Sequence, residues 1–193
     1  MGALLRALEG FEGTFVVSCA LRLTPLLFVR PGELRHMEWR EVDREAGLWT
    51  IPGKKMKMGR DHSVPLAHQT LITLNELEPL TGGERYVFPA NRGRGRPMSE
   101  NTVNAALRRL GYSKDEVTAH GFRATARTLL DEVLGERPDI IEHQLAHAVR
   151  DPNGRAYNRT AHLPERRLIM QRWADYLDSL RTGATVVPSR VRM

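Results

Sequence analysis

Apolar positions recur along most of the chain at helical spacing. Gly13 to Val29 is apolar almost throughout, with Arg22 its only charge and Pro25 placed to kink or break it. A helix apolar on every side must be buried. Pro31 suits a first helical position and Glu33 a first turn, so a short second helix is expected directly after Arg30. From Leu48 the period changes. Leu48 to Ile51 and His62 to Leu66 read as two strands around a turn rich in Lys and Gly, a small hairpin with a basic tip. Ser99 is expected to cap a helix carrying Val103, Ala106, Leu107 and Leu110 at i, i+3, i+4 and i+7. In the following helix Phe122, Ala126, Leu129 and Val133 form one apolar stripe, and at about 100° per residue His120, Arg123 and Arg127 face away from the core. Pro138 opens a further helix through Ala148. Pro164 opens the last, which docks through Ile169, Trp173, Tyr176, Leu177 and Leu180. The pattern predicts one mainly α domain with a small antiparallel β-sheet (α+β) over residues 1–181, followed by a tail over 182–193.

Composition narrows the class. The 193 residues are 41% hydrophobic, enough for a core, and 29 Lys and Arg stand against 23 Asp and Glu, giving a net charge of +6. That balance points to a polyanionic partner, nucleic acid first. Apolar stretches without a charge, such as Gly13 to Ala20, fall far short of the roughly 20 apolar residues of a membrane span, and Met1 to Arg6 carries no secretory signal. Cys19 is the single cysteine, which excludes an internal disulfide and four-cysteine zinc sites; a reducing cytoplasm is the expected location.

Two motifs fail on inspection. Gly47 to Lys54 departs from the P-loop spacing, and Lys55 stands where Ser or Thr would bind magnesium. His143 and His147 have the i, i+4 spacing of zinc ligands, but Gln144 follows where a zinc protease needs its Glu. No tight cluster of acids marks a two-metal nuclease, so phosphate chemistry is expected to use side chains alone, with neither metal nor cofactor.

What remains is Arg30, a lysine of the basic hairpin, His120 with Arg123, His147, and Tyr157. A phosphodiester under attack gathers negative charge on its non-bridging oxygens, and two guanidinium forks can hold it. His120 and His147 can donate hydrogen bonds or handle protons. A free tyrosine has a pKa of about 10, so its phenolate needs an electropositive pocket, which the arginines supply. The departing 5′-oxygen asks for a general acid, and Lys54, Lys55 and Lys57 all lie at the hairpin tip.

In this set the chain resembles the tyrosine recombinases of the phage-integrase family. Arg30, followed by Glu33 and then by Met37-Glu-Trp-Arg-Glu-Val-Asp43, is similar to their first box. His120-Gly-Phe-Arg123 is similar to their His-x-x-Arg box. Gln144-Leu-Ala-His147 with Ala156-Tyr157-Asn158-Arg159 resembles the last box, in the wording of satellite-phage and pathogenicity-island integrases. Val29 and Met56 depart from the commonest pattern without removing a reactive group. The resemblance implies the tyrosine recombinase catalytic-domain fold, with Arg30, Lys57, His120, Arg123, His147 and Tyr157 as catalytic residues. It further implies a 3′-phosphotyrosyl intermediate on double-stranded DNA at attachment sites, and a homotetramer on that DNA. Arm-binding and core-binding regions, usual in such proteins, have no room here, so a fragment is expected. A type IB topoisomerase, which shares the chemistry, and a non-catalytic DNA-binding accessory protein are the alternatives.

Overall fold

A computed structural model describes residues 1–92, 95–147 and 162–183. The apolar run becomes α2 (Phe15–Leu27), with α1 (Gly2–Glu9) packed beside it. Thr14 caps α2, its Oγ1 accepting from the Val17 N–H at 3.4 Å. Cys19, Ala20, Leu21, Leu23 and Leu27 are all fully buried, so α2 is the post around which the other helices are arranged. Pro25 lies in its last turn, and Phe28, in the left-handed region at φ 37°, ends the helix. That reversal sends the chain directly into α3 (Pro31–Arg35), with Arg30 as its N-cap residue and Pro31 in its first turn.

The hairpin is part of a three-stranded antiparallel sheet: β1 (Val42–Asp43), β2 (Leu48–Ile51) and β3 (His62–Pro65), in that order. Trp49 pairs with Val42 on one side and Val64 on the other. Two-residue β1 is too short to show a period, which is why the pattern yields only a hairpin. β3 would be an open edge, but the last helix, α8 (Leu163–Thr182), lies over it, and Nη2 of the buried Arg166 donates to the Ser63 carbonyl.

Four expectations need correction. Helix α5 spans Thr102–Arg109, so Ser99 is not its cap; its carbonyl instead accepts from the Thr102 N–H at 3.1 Å in the turn before the helix. Helix α6 (Gly121–Glu132) buries Phe122, Ala126 and Leu130, leaving Val133 exposed. Arg123 does not face away from the core: it is 6% exposed, drawn inward by carbonyls described below. Helix α7 (Pro138–Gln144) stops short of Ala148, because Ala146 adopts φ 51° and its N–H and that of His147 return to the carbonyls of His143 and Glu142, a Schellman ending. Helix α4 (His68–Thr81) buries a mixed face, Thr70, Thr73 and Thr81 sharing it with Leu74 and Leu77. Among the described residues no helix is long and apolar enough to cross a membrane.

Candidate active site

The ends of α2, α6 and α7 meet at Arg123. Its Nη1 donates to the Phe28 carbonyl and its Nη2 to that of Leu145, both at 2.8 Å. Each acceptor lies at a helix end, where carbonyls lack intrahelical donors, so the fork satisfies two orphan groups at once. Burial, and then the nearby charge of Arg30, pushes the guanidinium down to about 10, which still leaves it charged at neutral pH.

Arg30 stands two residues beyond Phe28. Glu33 reaches back from α3 to the Arg30 backbone N–H at 2.8 Å and to Nη1 at 2.7 Å, fixing the side chain while a quarter of it stays exposed. His147 enters from the other side, at the end of the Schellman turn. Its Nε2 is 3.4 Å from Arg123 Nη2, and its Nδ1 is 2.5 Å from Glu142 Oε2. The second oxygen of Glu142 accepts from Nε of Arg127 at 2.7 Å. Burial raises the Glu142 carboxyl, but the hydrogen bonds from His147 and Arg127 outweigh it and hold the group below its ordinary range.

His120 is the N-cap residue of α6, one turn before Arg123, and is exposed. The hairpin lysines separate. Lys55 is tied down, its Nζ 2.7 Å from the His36 carbonyl, 2.5 Å from Glu41 and 2.8 Å from Glu38. Lys54 and Lys57 are exposed, with Met56 buried between Lys55 and Lys57. Tyr157, with Ala156, Asn158 and Arg159 beside it, lies outside the described residues. The structure thus brings Arg30, Arg123 and His147 together, sets His120 a turn away, and leaves Lys57 on the exposed tip.

Sequence reasoning passed over three groups. Glu142 is five residues before His147, a spacing that places two side chains on no common helical face, so no local signal marks the pair. Glu38 is fully buried among Arg85, Arg40 and Lys55; hydrogen bonding to Arg85 leads the effects that outweigh burial and hold its carboxyl down at about 2. It anchors the hairpin base. His62 is buried with its Nε2 donating to the Gln144 carbonyl at 3.1 Å; burial, then the charge of Arg166, pushes it down to about 3, so it is neutral.

Known proteins resemble this chain over most of its length. A family model described as the phage integrase family matches residues 2–162. The integrase of Enterobacteria phage P4 is 44% identical over 188 residues, covering 90% of this chain and 43% of that protein. The chain spans under half the length of the curated relatives it matches. Among solved structures, XerA recombinase aligns with a TM-score of 0.61 at 20% identity, over 98% of this chain and 62% of that one. A lambda integrase tetramer bound to a Holliday junction aligns at 0.57 and 18%, over 81% of this chain and 47% of that one. At such identities the likeness establishes the fold.

Proposed function

The chain belongs to the phage integrase family, and from that premise we propose that it is the DNA-cutting and rejoining part of a site-specific recombinase of a mobile element. In this reading residues 1–181 carry the chemistry. Tyr157 Oη attacks the scissile phosphorus, the bond to the 5′-oxygen breaks, and Lys57 protonates that oxygen, leaving a 3′-phosphotyrosine and a free 5′-hydroxyl. Arg30 and Arg123 hold the non-bridging oxygens, and His120 and His147 add hydrogen bonds. The covalent link conserves the phosphodiester energy, so rejoining consumes no nucleotide.

One observation carries the proposal. Arg123 is buried, yet among the described residues it touches no carboxylate; its partners are two carbonyls and an imidazole. A buried cation with Glu33 and Glu142 acting on it only from a distance, no carboxylate in direct contact among the described residues, and a second guanidinium nearby, is a place prepared for an anion. The DNA-bound state of the lambda integrase tetramer supports double-stranded DNA as that anion, and a homotetramer on it, for this chain too. The site of action is then the cytoplasm, where such DNA lies.

The test is covalent trapping. On a nicked core site the piece downstream of the cut diffuses away before it can reverse the attack, so a protein–DNA adduct should accumulate with the parent chain and vanish with Tyr157→Phe, with DNA affinity retained. An adduct mapped to another residue, or formed as well by the variant, overturns the assignment. Relaxation of supercoils without site preference would instead indicate a topoisomerase.

A further inference from the structure

We propose that Glu142 is a positioning residue for His147: it fixes the ring so that the proton sits on Nδ1 and Nε2 faces the phosphate site. The inference rests on the recombinase reading for its purpose, and on geometry alone for its substance.

Two contacts made by one imidazole demand the same tautomer. Arg123 is a donor only, so a hydrogen bond from its Nη2 at 3.4 Å needs a lone pair on Nε2. Glu142 is an acceptor only when ionised, so the 2.5 Å contact at its Oε2 needs a proton on Nδ1. The two are compatible in a single neutral form. The contact to Arg123 is long for a hydrogen bond, whereas that to Glu142 is short, so the carboxylate is the stronger constraint. It also survives protonation: gaining a proton changes Nε2 from acceptor to donor while Nδ1–H stays on Glu142. The end facing the substrate is the end that switches.

The carboxylate is itself held. Arg127 donates Nε to the other oxygen at 2.7 Å, and Arg127 lies one helical turn beyond Arg123 on α6. A single helix therefore contacts both ends of the His147–Glu142 pair. The Schellman turn completes the arrangement, since the His147 N–H returns to the Glu142 carbonyl at 3.0 Å and the two residues are joined through backbone as well as side chain. Orientation of a catalytic imidazole by a carboxylate on its far nitrogen is a general device, because an imidazole free to flip presents the wrong atom part of the time.

Glu142→Gln tests this without changing shape. The amide has one acceptor oxygen for two donors, Arg127 and His147, so the bridge cannot be reproduced. On a nicked core site, single-turnover cleavage should fall by about 10- to 100-fold. In a His147→Ala background the same change should cost nothing further, because its partner is gone. Cleavage by Glu142→Gln within threefold of the parent, or an equal loss in the His147→Ala background, overturns the proposal. A second measurement does not depend on activity. In the free protein above neutral pH, long-range 1H–15N correlations of the His147 ring should report a protonated Nδ1 in the parent and a mixture of tautomers in Glu142→Gln. Protonated Nε2 in the parent overturns the proposal whether or not DNA is cut, whereas absence of any adduct with the parent, alongside the expected tautomer, counts against the recombinase reading alone.

Discussion

Nη2 of Arg123 lies 3.4 Å from Nε2 of His147, 24 residues along the chain, while the same guanidinium holds the carbonyls of Phe28 and Leu145. The arginine proposed to grip phosphate is therefore also the bolt that joins the ends of α2 and α7. Its charge and its position come from one set of contacts, so substitution there disturbs structure and chemistry together.

Arg30→Lys and Arg123→Lys should separate on that account. Either change should slow cleavage by roughly 10² or more, since an ammonium cannot replace a fork on two oxygens. An ammonium at position 123 also fails to span both carbonyls, and a buried acceptor left without its donor costs about 1–3 kcal/mol. Thermal melts should place Arg123→Lys several degrees below the parent and Arg30→Lys, whose guanidinium hydrogen-bonds Glu33 and spans no pair of helix-end carbonyls, close to it. Equal melting of Arg123→Lys and the parent would show that the carbonyl contacts carry no weight.

The lysines should divide by substrate. Lys57→Ala is expected to be slow on ordinary DNA and largely restored when the bridging 5′-oxygen is sulfur, because a thiolate with a pKa near 8.5 leaves without a proton donor. Lys55→Ala removes one cation from the buried Glu38 cluster at a cost of up to about 3 kcal/mol, so its defect should appear as lowered stability that sulfur does not cure. Rescue of Lys55→Ala or Lys54→Ala by sulfur, with Lys57→Ala left slow, would move the acid to another position.

His62 should make stability depend on pH. Its ordinary value of about 6.5 applies to the unfolded chain, and in the fold it lies at about 3. The folded state thus resists a proton that the unfolded state accepts. The contribution is complete above pH 6.5 and is lost as pH falls toward 3. Urea unfolding at pH 7, 6 and 5, above the range where carboxylates titrate, should show stability declining in the parent and a flatter profile in His62→Gln, which keeps an N–H donor for the Gln144 carbonyl. Parallel profiles would contradict a neutral buried ring.

Ala146 is held at φ 51°, where a side chain costs about 1–2 kcal/mol and glycine nothing. Ala146→Gly also loosens the unfolded chain by about 0.5–1 kcal/mol. The net should be a melting temperature equal to the parent's or slightly above it. A clear drop would mean that the Schellman turn is not what ends α7.

Much of this molecule is written locally. The burial of α2, the Pro31 and Glu33 start of α3, the paired strands and the apolar face of α8 follow from which residues neighbour one another at helical or alternating spacing, and those spacings act over only a few residues. The chain order of Arg30, His120, Arg123, His147 and Tyr157 is likewise plain in the sequence, as is the positive charge that suits a phosphate. Other features were decided by distant partners. Arg123 sits on what its spacing marks as an outer face, and it turns inward because the Phe28 carbonyl, 95 residues away, needs a donor at the end of α2. Lys55 and Lys57 are two residues apart in one basic turn, and only the fold, by placing Glu38 and Glu41 under the first, assigns one to anchoring and leaves the other exposed. Glu142 was silent in the sequence for the same reason: its meaning depends on a left-handed Ala146 that bends His147 back toward it and on Arg127 arriving from another helix. Apolar spacing records which side of an element is buried, whereas a hydrogen bond needs two atoms within about 3 Å, and for these residues that closeness is made by the packing of separate helices.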